Sequence, residues 1–124
     1  MDLVGAAKLM VEADITLSVW TPGVCSIPLD LNPEDIPRYL ESPENFIAKA
    51  VKTSVGDLRV YVRTCREARC LSSTRKGERC RNQPDTRAMV GLHEFEADQQ
   101  RCHVHHGCPE HPSVQAMRLM PWSP

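Results

Sequence analysis

The order of apolar and polar residues predicts short helices and strands in the first half of the chain. Apolar side chains in residues 2–13 recur at helical spacing, and Asp2 is a suitable N-cap. Residues 15–20 alternate between apolar and polar side chains, which is typical of a short strand. Residues 32–35 combine a capping asparagine, a proline and two acids, so a short helix should begin there, limited by Pro37.

A second helix and a strand are predicted further along the chain. Residues 42–44 (Ser-Pro-Glu) are a clearer helix start, and an apolar stripe follows them as far as a stop at Gly56. Apolar residues then alternate with charged and aromatic ones over residues 58–62, which predicts the best strand in the chain. After Thr64 this periodicity is lost, and cysteine, arginine, glycine and serine prevail.

These patterns together predict an α+β protein with three parts. Residues 1–64 should form a small α/β unit, and residues 65–111 a loop-rich module stapled by zinc. Residues 112–124 should form a proline-rich C-terminal tail that includes Met117 and Trp122.

Composition explains why a staple is expected. A chain of 124 residues with ten prolines and two phenylalanines can bury only a modest core, but it carries six cysteines and five histidines. The N-terminal residues have no basic region followed by a long apolar run, and no apolar stretch is long enough to span a membrane. We therefore expect no membrane contact, a cytoplasmic location and metal ligation rather than disulfides.

The cysteine and histidine residues with the best spacing for one metal ion are Cys70, Cys80, Cys102 and His105. Their pattern is C-x9-C-x21-C-x2-H, and three cysteines with one histidine are a common structural set for Zn²⁺. His106 is the alternative to His105 as the fourth ligand. Between the first two cysteines, residues 74–77 predict a tight turn that would bring these cysteines together.

Residues 69–106 resemble a small zinc-binding module that recurs in bacterial and bacteriophage proteins. The resemblance lies in the four ligand positions, the Thr-basic-x-Gly turn at residues 74–77 and the Cys80-Arg81-Asn82 step. The long gap before Cys102 departs from the module's pattern. The resemblance implies a structural metal site and no particular reaction.

The remaining cysteines and histidines allow other interpretations. Cys65, Cys108 and His111 would make a second metal site only with a further ligand, such as His93 or His106. The step from His105 to Pro109 resembles the His-His-x-x-Pro step of HNH-type nucleases. That family also needs an asparagine and a later histidine in a strand-helix unit, and the 15 residues after Pro109 contain no asparagine. We expect no enzymatic activity.

The charge pattern adds a candidate docking surface. The net charge is −1, yet residues 59–81 carry eight basic and two acidic side chains between two acidic flanks. Within this basic segment, Arg75, Lys76, Arg79 and Arg81 lie on or beside the predicted turn, where they would face a phosphate or an acidic protein surface. The simpler interpretation is that these charges keep the module soluble or pair with acids at 94–98.

The function predicted from these features is that of a non-enzymatic, zinc-stabilised adaptor that presents a basic hairpin to a protein partner or larger assembly. Two alternatives stay open: a structural or assembly component of a phage particle, located in the virion, and a sequence-tolerant nucleic-acid binder. Neither the partner nor the oligomeric state follows from the sequence.

Overall fold

The computed structural model describes residues 2–23, 26–64, 69–85 and 90–121, apart from the side chain of Asp98. Within these ranges the chain forms five α-helices and one antiparallel pair of strands, which confirms the α+β class. The helices are α1 (Leu3–Glu12), α2 (Ile36–Glu41), α3 (Pro43–Ala50), α4 (Val55–Thr64) and α5 (Pro112–Leu119). The strands are β1 (Ser18–Trp20) and β2 (Pro28–Asp30), and 3-10 turns cover Pro33–Asp35, Leu92–Glu94 and Ala97–Gln99.

Side-chain caps confirm the predicted helix starts. The Asp2 carboxylate accepts a hydrogen bond from the Gly5 N–H at 2.6 Å and begins α1. The Ser42 hydroxyl accepts one from the Asn45 N–H at 3.3 Å and begins α3. The predicted stop is wrong, because α3 already ends at Ala50 and Gly56 lies inside α4.

The strand predicted over residues 58–62 is also wrong, because these residues belong to α4. The Ser54 hydroxyl accepts a hydrogen bond from the Asp57 N–H at 3.0 Å, which is a helix start that the alternating pattern obscured. Leu58, Val60 and Tyr61 are all at most 2% exposed. Helix α4 packs against both α3 and α5, so its buried arc is wide, and a wide buried arc on a helix can imitate the alternation of a strand.

The predicted strand over residues 15–20 is shorter than expected. Only Ser18–Trp20 pair with β2, in a register that places Val19 opposite Leu29. The buried Thr21 closes this hairpin, since its hydroxyl accepts a hydrogen bond from the Ile27 N–H at 2.8 Å. None of the helices in the described part of the chain has both the length and the apolar character that a membrane crossing requires.

One apolar core joins residues from both sides of position 64. It includes Ile47 and Leu58 from the helices, Leu71 and Leu92 from the loop-rich segment, and Val114 from α5. The segment predicted as a tail therefore contains a helix that packs on α4. Cys25, Cys65 and Trp122 lie outside the described residues.

Arg118 on α5 ties this helix to the rest of the protein. Its guanidinium donates to Asp57 on α4 and to Glu110, whose nearest carboxylate oxygen lies 2.5 Å away. The side chains of Arg118 and Glu110 are 21% and 7% exposed, so this ion pair is far less hydrated than a surface pair. Hydrogen bonding to Glu110 is the largest cause of a raised pKa at Arg118, which keeps the guanidinium charged.

Arg118→Met should therefore destabilise the protein by about 2–3 kcal/mol, because it removes the shortest ion pair of the Glu110 carboxylate, whose side chain is only 7% exposed. The matched control is Lys8→Met, which removes an exposed ion pair with Glu34 and should cost less than about 0.5 kcal/mol. Urea unfolding followed by circular dichroism measures both values. Equal stability losses in the two variants would contradict the role assigned to Arg118.

Candidate metal centre

A short hairpin brings the first two cysteines together. The Cys70 N–H donates to the Asn82 carbonyl and the Cys80 N–H to the Ser72 carbonyl, each at 2.8 Å. At the tip, the Gly77 N–H donates to the Thr74 carbonyl, and Gly77 has a φ of +80°, a conformation that favours glycine. The predicted turn between the two cysteines is confirmed.

Two arginines connect the arms of the hairpin through hydrogen bonds to backbone carbonyls. The Arg69 guanidinium donates to the carbonyls of Cys80 and Arg79 at 2.9 and 2.8 Å. The Arg79 guanidinium donates in the opposite direction, to the Cys70 carbonyl at 3.3 Å. These bonds satisfy backbone carbonyls of both cysteines and of Arg79, and they connect the two arms of the hairpin.

The second pair of ligands comes from the loop that follows residue 100. The Leu71 N–H donates to the Gln100 carbonyl at 3.0 Å, which places this loop beside the hairpin. The His105 N–H donates to the Cys102 carbonyl at 3.0 Å, so a single turn brings the C-x2-H pair together.

The four predicted ligands form one cluster in which the candidate ligand atoms all lie within 4.8 Å of one another. The sulfur atoms of Cys80 and Cys102 are 4.0 Å apart. The Nδ1 atom of His105 lies 3.2 Å from the Cys102 sulfur and 3.7 Å from the Cys70 sulfur. Nδ1 is therefore the ring nitrogen that faces the cluster.

These distances fit a tetrahedral metal ion. With metal–sulfur and metal–nitrogen bonds of about 2.3 and 2.0 Å, neighbouring ligand atoms are about 3.5–3.8 Å apart. The three cysteines are at most 3% exposed and His105 is half-buried, so the ligand set is closed to bulk water on the sulfur side. Among the described residues, this is the only group of three or more such side chains close enough to share a metal ion.

Hydrogen bonds to sulfur favour the ionised form of Cys102. Burial raises the pKa of this thiol, but donors from the Asn82 side chain and from the backbone of Val104 and His105 outweigh burial and lower the pKa to about 6. At Cys80 burial is the largest effect, and it raises the pKa although the Asn82 N–H donates to the sulfur at 3.4 Å. A bound cation would supply the charge that three adjacent buried thiolates need.

The other histidines have different partners. His106, the alternative fourth ligand, has its Nε2 atom 2.5 Å from an Asp85 carboxylate oxygen. His111 caps α5: its Nδ1 accepts from the Ser113 N–H at 3.1 Å, and its Nε2 donates to the Gly77 carbonyl at 3.1 Å. Both ring nitrogens of His111 are thus occupied, which argues against its role in a second metal site.

The four basic residues predicted as a docking surface are not placed alike. Arg75, Lys76 and Arg81 are exposed, and none of them pairs with a carboxylate in the described part of the chain. Arg79 is only 8% exposed and belongs to the hairpin, so it does not project from the tip. Arg59, earlier in the basic segment, is likewise structural, because it pairs with Glu44 at 2.7 Å.

Sequence reasoning missed the supporting residues around the ligands. Arg69 and Asn82 each contact the ligand backbone or sulfur atoms, yet neither belongs to the ligand pattern. Their proximity in sequence to Cys70 and Cys80 was the available signal, since metal ligands are commonly held by hydrogen bonds from neighbouring residues. No protein-family model, curated protein or solved structure matches the chain.

Cys80→Ser should abolish metal binding and lower the melting temperature by more than about 10 °C, because metal ligation supplies folding energy to a loop-rich segment. Cys108→Ser is the matched control, since Cys108 is a half-buried thiol outside the cluster. Elemental analysis and thermal denaturation measure both effects. A Cys80→Ser protein that retains the parental metal content and melting temperature would show that the cluster does not hold the segment together.

Proposed function

We propose that the chain is a non-enzymatic binding protein in which one Zn²⁺ ion, held by Cys70, Cys80, Cys102 and His105, fixes a basic hairpin for a macromolecular partner. Zinc is the metal that a closed set of three thiolates and one imidazole suits best. Thiolate ligands require a reducing environment, which supports a cytoplasmic location.

A structural role for the ion is supported by its ligand set. Four protein ligands complete a tetrahedron and leave no position for a reacting water, whereas catalytic zinc sites keep one open. Three thiolates also neutralise the charge of the ion and weaken it as a Lewis acid. The second histidine of the nuclease-like step, His106, is paired with Asp85 rather than placed beside the cluster.

The observation that carries the binding role is the charge at the hairpin tip, which pairs with no carboxylate in the part of the chain that the structure describes. Arg75 and Lys76 are exposed on a turn whose two arms contain the candidate ligands Cys70 and Cys80 and are bridged by Arg69 and Arg79. A surface fixed in advance loses less conformational entropy when a partner binds. Cations that pair with no carboxylate among the described residues are available to an acidic protein face.

Nucleic-acid binding is the second candidate, and the same unpaired cations favour it. Phosphate contacts would make affinity for duplex DNA fall steeply with salt concentration. A role in a phage particle stays an alternative that a symmetric oligomer in solution would favour.

The binding role predicts that replacing both Arg75 and Lys76 by Glu lowers the affinity for the captured partner about tenfold or more, with little change in melting temperature. The matched control reverses Lys49 and Lys52, which are exposed and alter the net charge equally. Affinity is measured by calorimetry with a partner isolated on the full-length parental chain. Equal affinity of the parent and the Arg75/Lys76 variant would exclude the hairpin tip as the docking surface.

A further inference from the structure

A groove of about 560 Å³ lies beside the cysteine–histidine cluster, with His105 in its lining. Thr74 and Arg75 of the hairpin line one side, and Val104, His105 and Pro109 of the following loop line the other. The groove lining thus includes both the candidate ligand His105 and the exposed cation Arg75. Its volume is within the range of pockets that bind small ligands or short peptide segments.

His105 contributes a hydrogen-bond donor to this groove. Its Nδ1 atom lies among the cluster sulfurs, so a metal bound there leaves the proton on Nε2. Metal-ligating histidines usually donate this second N–H to a carboxylate, a carbonyl or water. Within the described residues Nε2 of His105 has no such acceptor, while the ring lines the groove.

Arg75 contributes a second hydrogen-bond donor, its guanidinium group. Its guanidinium is exposed and forms no ion pair with a described carboxylate. Arg75 and His105 both line the groove, and a ligand that accepts from an imidazole N–H and a guanidinium together needs two or more oxygens and a negative charge.

Apolar residues in the groove lining limit the kind of ligand that can fill it. Val104 is 61% exposed although it is β-branched and apolar, and Pro109 beside it is also exposed. A ligand that uses the whole groove must therefore present an apolar group next to its acid. The phosphodiester backbone of a duplex has no apolar group to contact this wall, whereas a peptide carries a carboxylate and an aliphatic side chain on neighbouring residues, so we favour a peptide.

We propose that this groove binds an acidic peptide segment of a protein partner. A glutamate or aspartate carboxylate accepts hydrogen bonds from His105 Nε2–H and Arg75, and a neighbouring aliphatic side chain contacts Val104 and Pro109. This inference rests on the proposed function, and it names the chemistry of the partner and the place where it docks.

The test is an NMR titration of the full-length, ¹⁵N-labelled, zinc-loaded chain with acetyl-Leu-Glu-Leu-amide. Backbone amides of residues 73–75 and 103–109 should shift, together with the His105 Nε2–H signal. Acetyl-Leu-Gln-Leu-amide should bind about tenfold more weakly, because a neutral amide replaces the charged acceptor. Equal affinities for the two peptides, or no shift at the groove, would overturn the proposal.

Substitutions at two exposed residues, Arg75 and Val104, test the charged and the apolar parts of the groove. Arg75→Gln should weaken the Glu peptide about tenfold, whereas Arg81→Gln, with the same loss of charge outside the groove, should not. Val104→Ser should weaken it about threefold or more, while Leu40→Ser, at a residue that is also 61% exposed, should have no effect. Identical losses in each variant and its control would contradict specific docking.

Phosphate and nucleic acid are the competing ligands. If inorganic phosphate or a single-stranded oligonucleotide saturates the same signals at a lower concentration than the Glu peptide, the groove is a phosphate site and the proposal is wrong. Zinc content is measured in the same samples. If the zinc-loaded chain shows no shifts with the peptide, but its partner still depends on Arg75 and Lys76, the groove proposal is wrong and the proposed function stands. If the purified chain contains no zinc, both the groove proposal and the proposed function are wrong.

Discussion

The convergence of three cysteines and one histidine on a single point is the constraint on which the loop-rich half depends. Between Cys70 and Cys102 the described elements are a hairpin and two single-turn 3-10 helices, which supply few backbone bonds of their own. Closing such loops is entropically unfavourable, and burying three thiolates together is unfavourable unless a cation neutralises their charge. An ion bound to these four side chains would offset the closure entropy and restrict the hairpin.

This centre is physically joined to the helical part of the protein. Leu71, one residue after a ligand, is buried in the same core as residues of α3 and α4. Arg101, one residue before another ligand, donates to the Cys108 carbonyl at 2.8 Å and lies 3.9 Å from the Glu110 carboxylate that binds Arg118. The ligand loop and α5 therefore share one carboxylate, and a change at the metal centre should reach α5 through it.

The sequence specified local features well and long-range features poorly. Helix caps such as Ser42, and the clustering of Cys70, Cys80, Cys102 and His105, follow from residue type and spacing, so they could be predicted. Helix α4 could not, because burial on several sides gave Leu58, Val60 and Val62 the alternation of a strand. The inward position of Arg79 and the pairing of Arg118 with Glu110 depend on tertiary packing, which no short pattern records.

The central claim concerns the ligands of one ion, and zinc X-ray absorption spectroscopy of the full chain, purified without added metal, tests it most directly. The account predicts a first shell of three sulfur atoms at about 2.3 Å and one nitrogen atom at about 2.0 Å from zinc. Loss of the zinc signal in Cys102→Ser, together with an unchanged first shell in Cys108→Ser, would identify the set. A shell dominated by oxygen or nitrogen, or a protein without zinc whose cysteines are paired with one another, would contradict the account.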